Sequence, residues 1–130
     1  MASIRREISL KAAADDVWAA LRDFDQVHAR VAPGFLTSLE MKDGDRVVTF
    51  FNGLVARERL VTLDDDGKRL VYSIVDGRPK HHNASFEVVD DGNGGSRIVW
   101  TADLLPNELA PAIAAMMDQG LVAMKKTLDA

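Results

Sequence analysis

The chain has 130 residues, 47% of them hydrophobic and 28% charged. That length supports one core, burying roughly two thirds of the surface of the unfolded chain, and the composition lies far from that of disordered sequences. The net charge of −4, with sixteen scattered Lys and Arg, offers no basic face for a phosphate backbone, and the absence of cysteine removes disulfides, thiolate metal sites and a cysteine nucleophile together.

A cysteine-free chain fits a reducing cytoplasm, which is the expected compartment. Met1 to Glu7 contain no apolar run of the signal-peptide kind, and no stretch reaches the ~18 apolar residues of a membrane span, so membrane insertion is not expected. Residues 4–10 alternate, with Ile4, Ile8 and Leu10 on one side and Arg5, Glu7 and Ser9 on the other, which predicts a half-buried first strand. From Asp15 the period changes. Val17, Trp18, Leu21 and Phe24 fall at helical spacing, and Asp15 and Asp16 stand where the positive end of a helix dipole favours carboxylates. A second short helix through Val27 to Val31 has to end before Pro33-Gly34, because proline restricts the residue ahead of it.

Strand-like runs then follow near 35–41, 46–52, 54–63, 69–75, 81–89 and 96–104. Their separators are turn chemistry: Lys42-Asp43-Gly44-Asp45, Asn52-Gly53, Asp64-Asp65-Asp66-Gly67, Asp76-Gly77-Arg78-Pro79 and the Gly-rich run 90–95. Asn52-Gly53 is the strongest hairpin signal among them. Connections this short leave no room for crossover helices, so the strands should form an antiparallel meander, which rules out a dinucleotide-binding βαβ reading. The last segment returns to helical period. Leu109, Ile113, Met116, Met117, Gly120, Leu121, Met124 and Leu128 share one face, with Asp118, Gln119, Lys125, Lys126 and Asp129 on the other. Pro106 and Pro111 fall before or within its first turns, where a missing N–H costs little. The expected fold is therefore α+β, a single domain over 1–130, in which a curved antiparallel sheet of about seven strands wraps one long C-terminal helix.

One helix laid in a strongly coiled sheet does not fill the trough, which predicts a cavity. Strand parity says what lines it. Arg57 and Arg59 belong outside, so Leu54, Ala56, Glu58 and Leu60 should face in; so should Leu70, Tyr72 and Ile74, then His82, Ala84, Phe86 and Val88, then Ile98, Trp100, Ala102 and Leu104. Val48 with Phe50 follows the same rule less cleanly, because Phe51 sits on the opposite parity. The candidate ligand-lining residues are Phe50, Glu58, Tyr72, Ile74, His82, Phe86 and Trp100 from the strands, and Ile113, Met116, Met117, Leu121 and Met124 from the helix. An apolar pocket with a few convergent polar groups is what a small-molecule site looks like. Each candidate has a plainer reading beside the functional one. Glu58 could pair across strands with an arginine or lysine, His82 could be solvated, and the aromatics and methionines could be core filler.

Val17-Trp18, Phe24-Asp25, Glu58-Arg59-Leu60 with Leu63-Asp64 beyond, Tyr72-Ser73-Ile74, and Trp100-Thr101-Ala102 followed by Pro106 together resemble the polyketide cyclase/dehydrase branch of the START-like (SRPBCC, pollen-allergen-like) superfamily. The similarity spans nearly the whole chain. It implies a helix-grip fold with a deep hydrophobic cavity for lipids, hormones or polyketides, and in some members cyclisation or dehydration. In related plant hormone receptors the glutamate of the Glu-Arg-Leu motif and the aromatic matching Tyr72 lie in the pocket, which implies the same for Glu58 and Tyr72. Two departures stand out: Arg30 where many relatives have Trp, and His81-His82 where they have Asn-Tyr. Polar groups at these places should alter the mouth of the pocket.

The leading expectation is a carrier of an apolar small molecule, oriented by Glu58, Tyr72 and His82. The alternative is a cyclase or dehydrase using Glu58, His82 and Tyr72 as acid and base. A third reading is a partner-binding module whose Asn52-Gly53-Leu54 turn closes over ligand, with homodimerisation as its companion. No phosphate loop, dinucleotide fingerprint or Ser-His-Asp order appears, so no cofactor is expected. The three histidines His28, His81 and His82, the last two on opposite strand faces, do not suggest a metal, and Asp64 to Gly67 reads as a hairpin turn rather than a calcium loop.

Overall fold

A computed structural model describes residues 1–130. Strand β1 (Ala2–Leu10) is followed by helix α1 (Ala14–Leu21), a 3-10 turn (Phe24–Gln26) and helix α2 (Val27–Arg30). Six strands come next: β2 (Leu36–Lys42), β3 (Asp45–Phe50), β4 (Val55–Asp64), β5 (Arg69–Asp76), β6 (His81–Asp90) and β7 (Ser96–Leu105). A second 3-10 turn (Asn107–Leu109) leads into helix α3 (Ala110–Leu128). All seven strands form one antiparallel sheet in the order β1-β7-β6-β5-β4-β3-β2. The meander is complete, and β1 closes on β7 from Ala2 opposite Leu104 to Leu10 opposite Ser96. This is the meander and long helix that the alternation of periods predicts, and the helix-grip architecture that the resemblance implies.

The inner face of the sheet, α1, α2 and α3 share one apolar cluster. Ile4, Leu10, Val48, Ala56, Leu70, Tyr72, Ala84, Phe86, Val88, Ile98, Trp100, Ala102 and Leu104 are buried there, as strand parity requires. Helix α3 contributes Met117, Gly120, Leu121 and Met124 to the buried face. Gly120 lets the helix approach closely: a Cβ built on it would stand 3.0 Å from a Trp100 ring carbon and 3.1 Å from Phe35. The far end of α3 is tied down by the Asp129 carboxylate, which accepts the Lys11 and Ala12 N–H groups at 3.0 and 3.1 Å.

Two parity expectations on β4 need correction. Leu60 is more than a third exposed although it stands opposite buried Tyr72, and after it the pairing with β5 steps to Thr62 opposite Val71. Val61 is the extra residue of a bulge, and the inward set resumes at Leu63, which pairs with buried Leu70. Leu54 precedes the strand rather than belonging to it and is 40% exposed. Asn52-Gly53 does turn the chain between β3 and β4, with Gly53 at φ +86° and its N–H donating to the Phe50 carbonyl at 2.9 Å. Asp64 to Gly67 makes the β4–β5 hairpin, its turn closed by a Gly67 N–H to Asp64 bond of 3.1 Å. Its second aspartate, Asp65, reaches α1, accepting the Trp18 indole N–H at 2.9 Å and Arg22 Nε at 2.7 Å. No helix is long and apolar enough to cross a membrane.

Candidate ligand site

Between the concave sheet and α3 lies a cavity of about 140 Å³, lined by 24 residues of which 19 are hydrophobic. Every candidate named from the sequence contributes to its wall except Leu121. Leu121 is buried, but its side chain belongs to the packed core beyond the cavity, so its assignment as a lining residue is corrected. The strands supply Phe50, Glu58, Tyr72, Ile74, His82, Phe86 and Trp100; the helix supplies Ile113, Met116, Met117 and Met124. Phe86 stacks on Trp100 with ring centroids 4.6 Å apart and on Tyr72 at 5.9 Å, so one wall is a continuous aromatic surface.

The mouth is identifiable by exposure. Leu54 and Val55 before and at the start of β4, Arg78 between β5 and β6, and Ala112 in the first turn of α3 both line the cavity and reach solvent. Pro79, Leu109 and Met116 are half-buried residues of the same wall, and the Asn52 amide touches the Met116 sulfur at 3.9 Å. Arg30 is not there. It lies on the surface, bonded to Asp23 at 2.9 Å, so the expectation that it shapes the mouth is withdrawn. Of the two histidines, His81 is exposed and His82 lines the cavity.

The polar groups are held in a specific way. Glu58 is buried and accepts Arg46 Nε at 2.8 Å; Arg46, also buried, spends another N–H on the Phe24 carbonyl at 3.1 Å. The guanidinium sits 4.0 Å from the Phe24 ring centroid and 5.2 Å from that of Tyr72, a stacked cation between two aromatic faces. Glu58 thus satisfies both readings at once, as cavity wall and as half of a cross-strand ion pair. Arg46 escaped sequence reasoning. It shares parity with Val48 on the same strand, and that alternation was the signal that could have placed it inside; its charge argued the other way.

Tyr72 satisfies Trp100: the indole N–H donates to the phenolic oxygen at 3.1 Å. Burial, and after it the nearby Glu58 carboxylate, pushes the Tyr72 phenol well above its ordinary range, so it stays protonated. His82 is fixed by its neighbours on β5. The backbone ladder between β5 and β6 ends at Tyr72 opposite Ala84. Past that point side chains take over: the Ile74 N–H donates to His82 Nδ1 at 3.1 Å, and the Ser73 hydroxyl donates to the His82 carbonyl. Burial pulls the His82 imidazole down to about 4, so it is neutral at physiological pH. In the interior of this wall, then, an ion pair is internally balanced, a phenol is protonated and an imidazole is uncharged, while Arg78 stands as an exposed cation at the mouth. The arrangement suits an uncharged molecule with an apolar body.

Comparison with known proteins agrees with this geometry. Residues 1–129 match the family described as polyketide cyclase/dehydrase and lipid transport. A curated relative, MLP-like protein 423 of Arabidopsis thaliana, is 24% identical over 111 residues, covering 75% of this chain and 72% of that one. Among solved structures, a Bacillus thuringiensis protein superposes with a TM-score of 0.87 at 15% identity, covering 98% of each chain. Norcoclaurine synthase of Thalictrum flavum, solved with dopamine and hydroxybenzaldehyde, superposes with a TM-score of 0.74 at 19% identity, covering 98% of this chain and 84% of that one.

Proposed function

The chain belongs to the polyketide cyclase/dehydrase and lipid transport family, and on that premise we propose that it binds and carries a small apolar molecule in the cavity between the sheet and α3. The observation that carries this reading is the wall itself, 19 hydrophobic residues of 24 around an interior with a defined mouth. A volume of about 140 Å³ is close to that of dry apolar cavities that accept a benzene-sized guest, so the ligand is of single-ring size or enters with only part of its length. The aromatic surface of Tyr72, Phe86 and Trp100 favours a ring, and the Thalictrum enzyme accommodates two single-ring molecules within the same fold.

Native mass spectrometry of protein purified from its own host should retain the ligand. Ala56→Leu and Ala102→Leu, which add bulk to two small wall residues, should lose it while keeping the circular-dichroism spectrum. Retention by both filled variants would place the ligand elsewhere and end the reading.

A second reading, the acid–base enzyme, is less well supported because its three candidate groups are poorly tuned for it. An effective acid or base titrates near the working pH; His82 lies at about 4, Tyr72 is raised, and Glu58 is engaged by Arg46. Glu58→Gln and His82→Gln separate the two. A carrier keeps most of its affinity, whereas a cyclase or dehydrase keeps binding and loses turnover.

A further inference from the structure

The β5–β6 pairing, extended past its last backbone bond, brings Ile74 opposite His82. In an unbroken ladder the Ile74 N–H would meet a carbonyl; here it meets the imidazole Nδ1 at 3.1 Å, while the His82 carbonyl is taken by Ser73. A backbone N–H only donates, so Nδ1 must offer its lone pair, and the ring proton of the neutral imidazole is therefore on Nε2. His82 is 4% exposed, lines the cavity, and receives no hydrogen-bond acceptor from the chain at Nε2. Beside it, with ring centroids 5.7 Å apart, Tyr72 spends its oxygen on the Trp100 indole, which leaves the phenolic hydrogen without an acceptor on the chain. Two donors in one apolar wall are thus left without an acceptor on the chain, and His82 Nε2, which is not fully buried, opens to the cavity rather than to packed core.

We infer that the ligand carries an acceptor oxygen, a carbonyl or ether on an otherwise apolar single-ring body, which takes the His82 Nε2–H, with the Tyr72 hydroxyl as a second donor beside it. His82 then determines specificity: the strand splay that frees its ring from the ladder also fixes which nitrogen faces the guest. The inference deepens the carrier reading and rests on it. An anionic group is not required in the interior, because the Arg46 guanidinium is already balanced by Glu58; the cation without an ion-pair partner, Arg78, stands exposed at the mouth. A pure hydrocarbon fits the space but leaves the donors unmet.

The test uses the full chain and two probes of the same shape, acetophenone and α-methylstyrene, which differ by a carbonyl oxygen in place of a methylene group. Affinities are measured by titration calorimetry for the wild type and His82→Phe. The expected result is that His82→Phe weakens acetophenone about tenfold more than α-methylstyrene, the size of one neutral hydrogen bond in a buried site. Equal losses for the two probes would overturn the role of His82 while leaving the cavity reading intact. Failure of both probes to bind the wild type would overturn the cavity reading, and this inference with it. A second measurement does not depend on the variant folding. Nitrogen-15 spectra of the wild type should place the His82 proton on Nε2 and show that resonance moving with acetophenone and not with α-methylstyrene. A proton on Nδ1, or the same response to both probes, would refute the assignment.

Discussion

Arg46 and Glu58 form an ion pair at 2.8 Å with side chains only 4% and 8% exposed, on the wall of an otherwise apolar cavity. Such a pair is weak evidence for stability, since two desolvated charges roughly cancel their own attraction, but breaking it is expensive. Glu58→Ala strands the guanidinium between Phe24 and Tyr72 and should destabilise the protein by about 3–5 kcal/mol in urea unfolding. The double variant Arg46→Met with Glu58→Leu should recover much of that loss. A double variant no better than the single one would mean that the pair itself, rather than the orphaned charge, supplies the stability.

The indole and phenol of Trp100 and Tyr72 make the next prediction. Tyr72→Phe leaves the Trp100 N–H without its acceptor in a buried position, which should cost about 1–3 kcal/mol in the same assay. An unchanged unfolding midpoint would show that the indole finds another partner.

His82 imposes a pH dependence whose sign follows from its environment. Its folded value of about 4 lies below the ordinary 6.5, so between these values the unfolded chain binds more protons than the folded one. Stability should be fully present above pH 6.5, fall as the pH drops towards 4, and level off below. His82→Gln should flatten that interval. A stability curve of equal slope in the variant would assign the titration to another group.

A lower window belongs to Asp45, a buried carboxylate held down at about 2 by hydrogen bonds from Arg59 and Arg57. Its folded value lies below the ordinary 3.8, so its stabilisation is present above 3.8 and is lost as the pH falls through 2. Wild type and Asp45→Asn should therefore differ most near neutral pH and converge towards pH 2. A gap that persists at pH 2 would show that Asp45 acts through packing rather than charge.

Gly120 supplies a prediction about packing. Alanine there gains helix propensity but brings a methyl group to 3.0 Å from Trp100 and 3.1 Å from Phe35, and leucine has no room at all. Gly120→Leu should destabilise by about 1–3 kcal/mol or more, with Gly120→Ala well above it in unfolding midpoint. Equal midpoints for the two would mean that α3 shifts freely on the sheet.

Much of this architecture is legible in the sequence because its periods are clean. Two-residue alternation from Leu70 to Val88 and from Ile98 to Leu104 assigns those faces, and turn residues separate each consecutive pair of strands from β2 to β7. Alternation fails where the backbone changes register without a compositional mark. The bulge at Val61 shifts the parity of the rest of β4 with no glycine or proline to announce it, and Leu60 just before it is exposed although it stands opposite inward Tyr72. Arg46 is hidden for a different reason: parity points inward, but a charge is assigned outward until a partner is known, and Glu58 is twelve residues away on the neighbouring strand. The helix face could be read but not its depth along the trough, so Leu121 was grouped with Met117 and Met124 although only the methionines reach the cavity.

The contact made possible by Gly120 also bears on entry. With only a hydrogen between the helix backbone and two aromatic rings, the helix is held close to the sheet at that level, and the wall residues that reach water, Leu54, Val55, Arg78 and Ala112, come from the β3–β4 and β5–β6 connections, the start of β4 and the first turn of α3. A guest therefore meets those four residues before it meets the aromatic wall of Tyr72, Phe86 and Trp100.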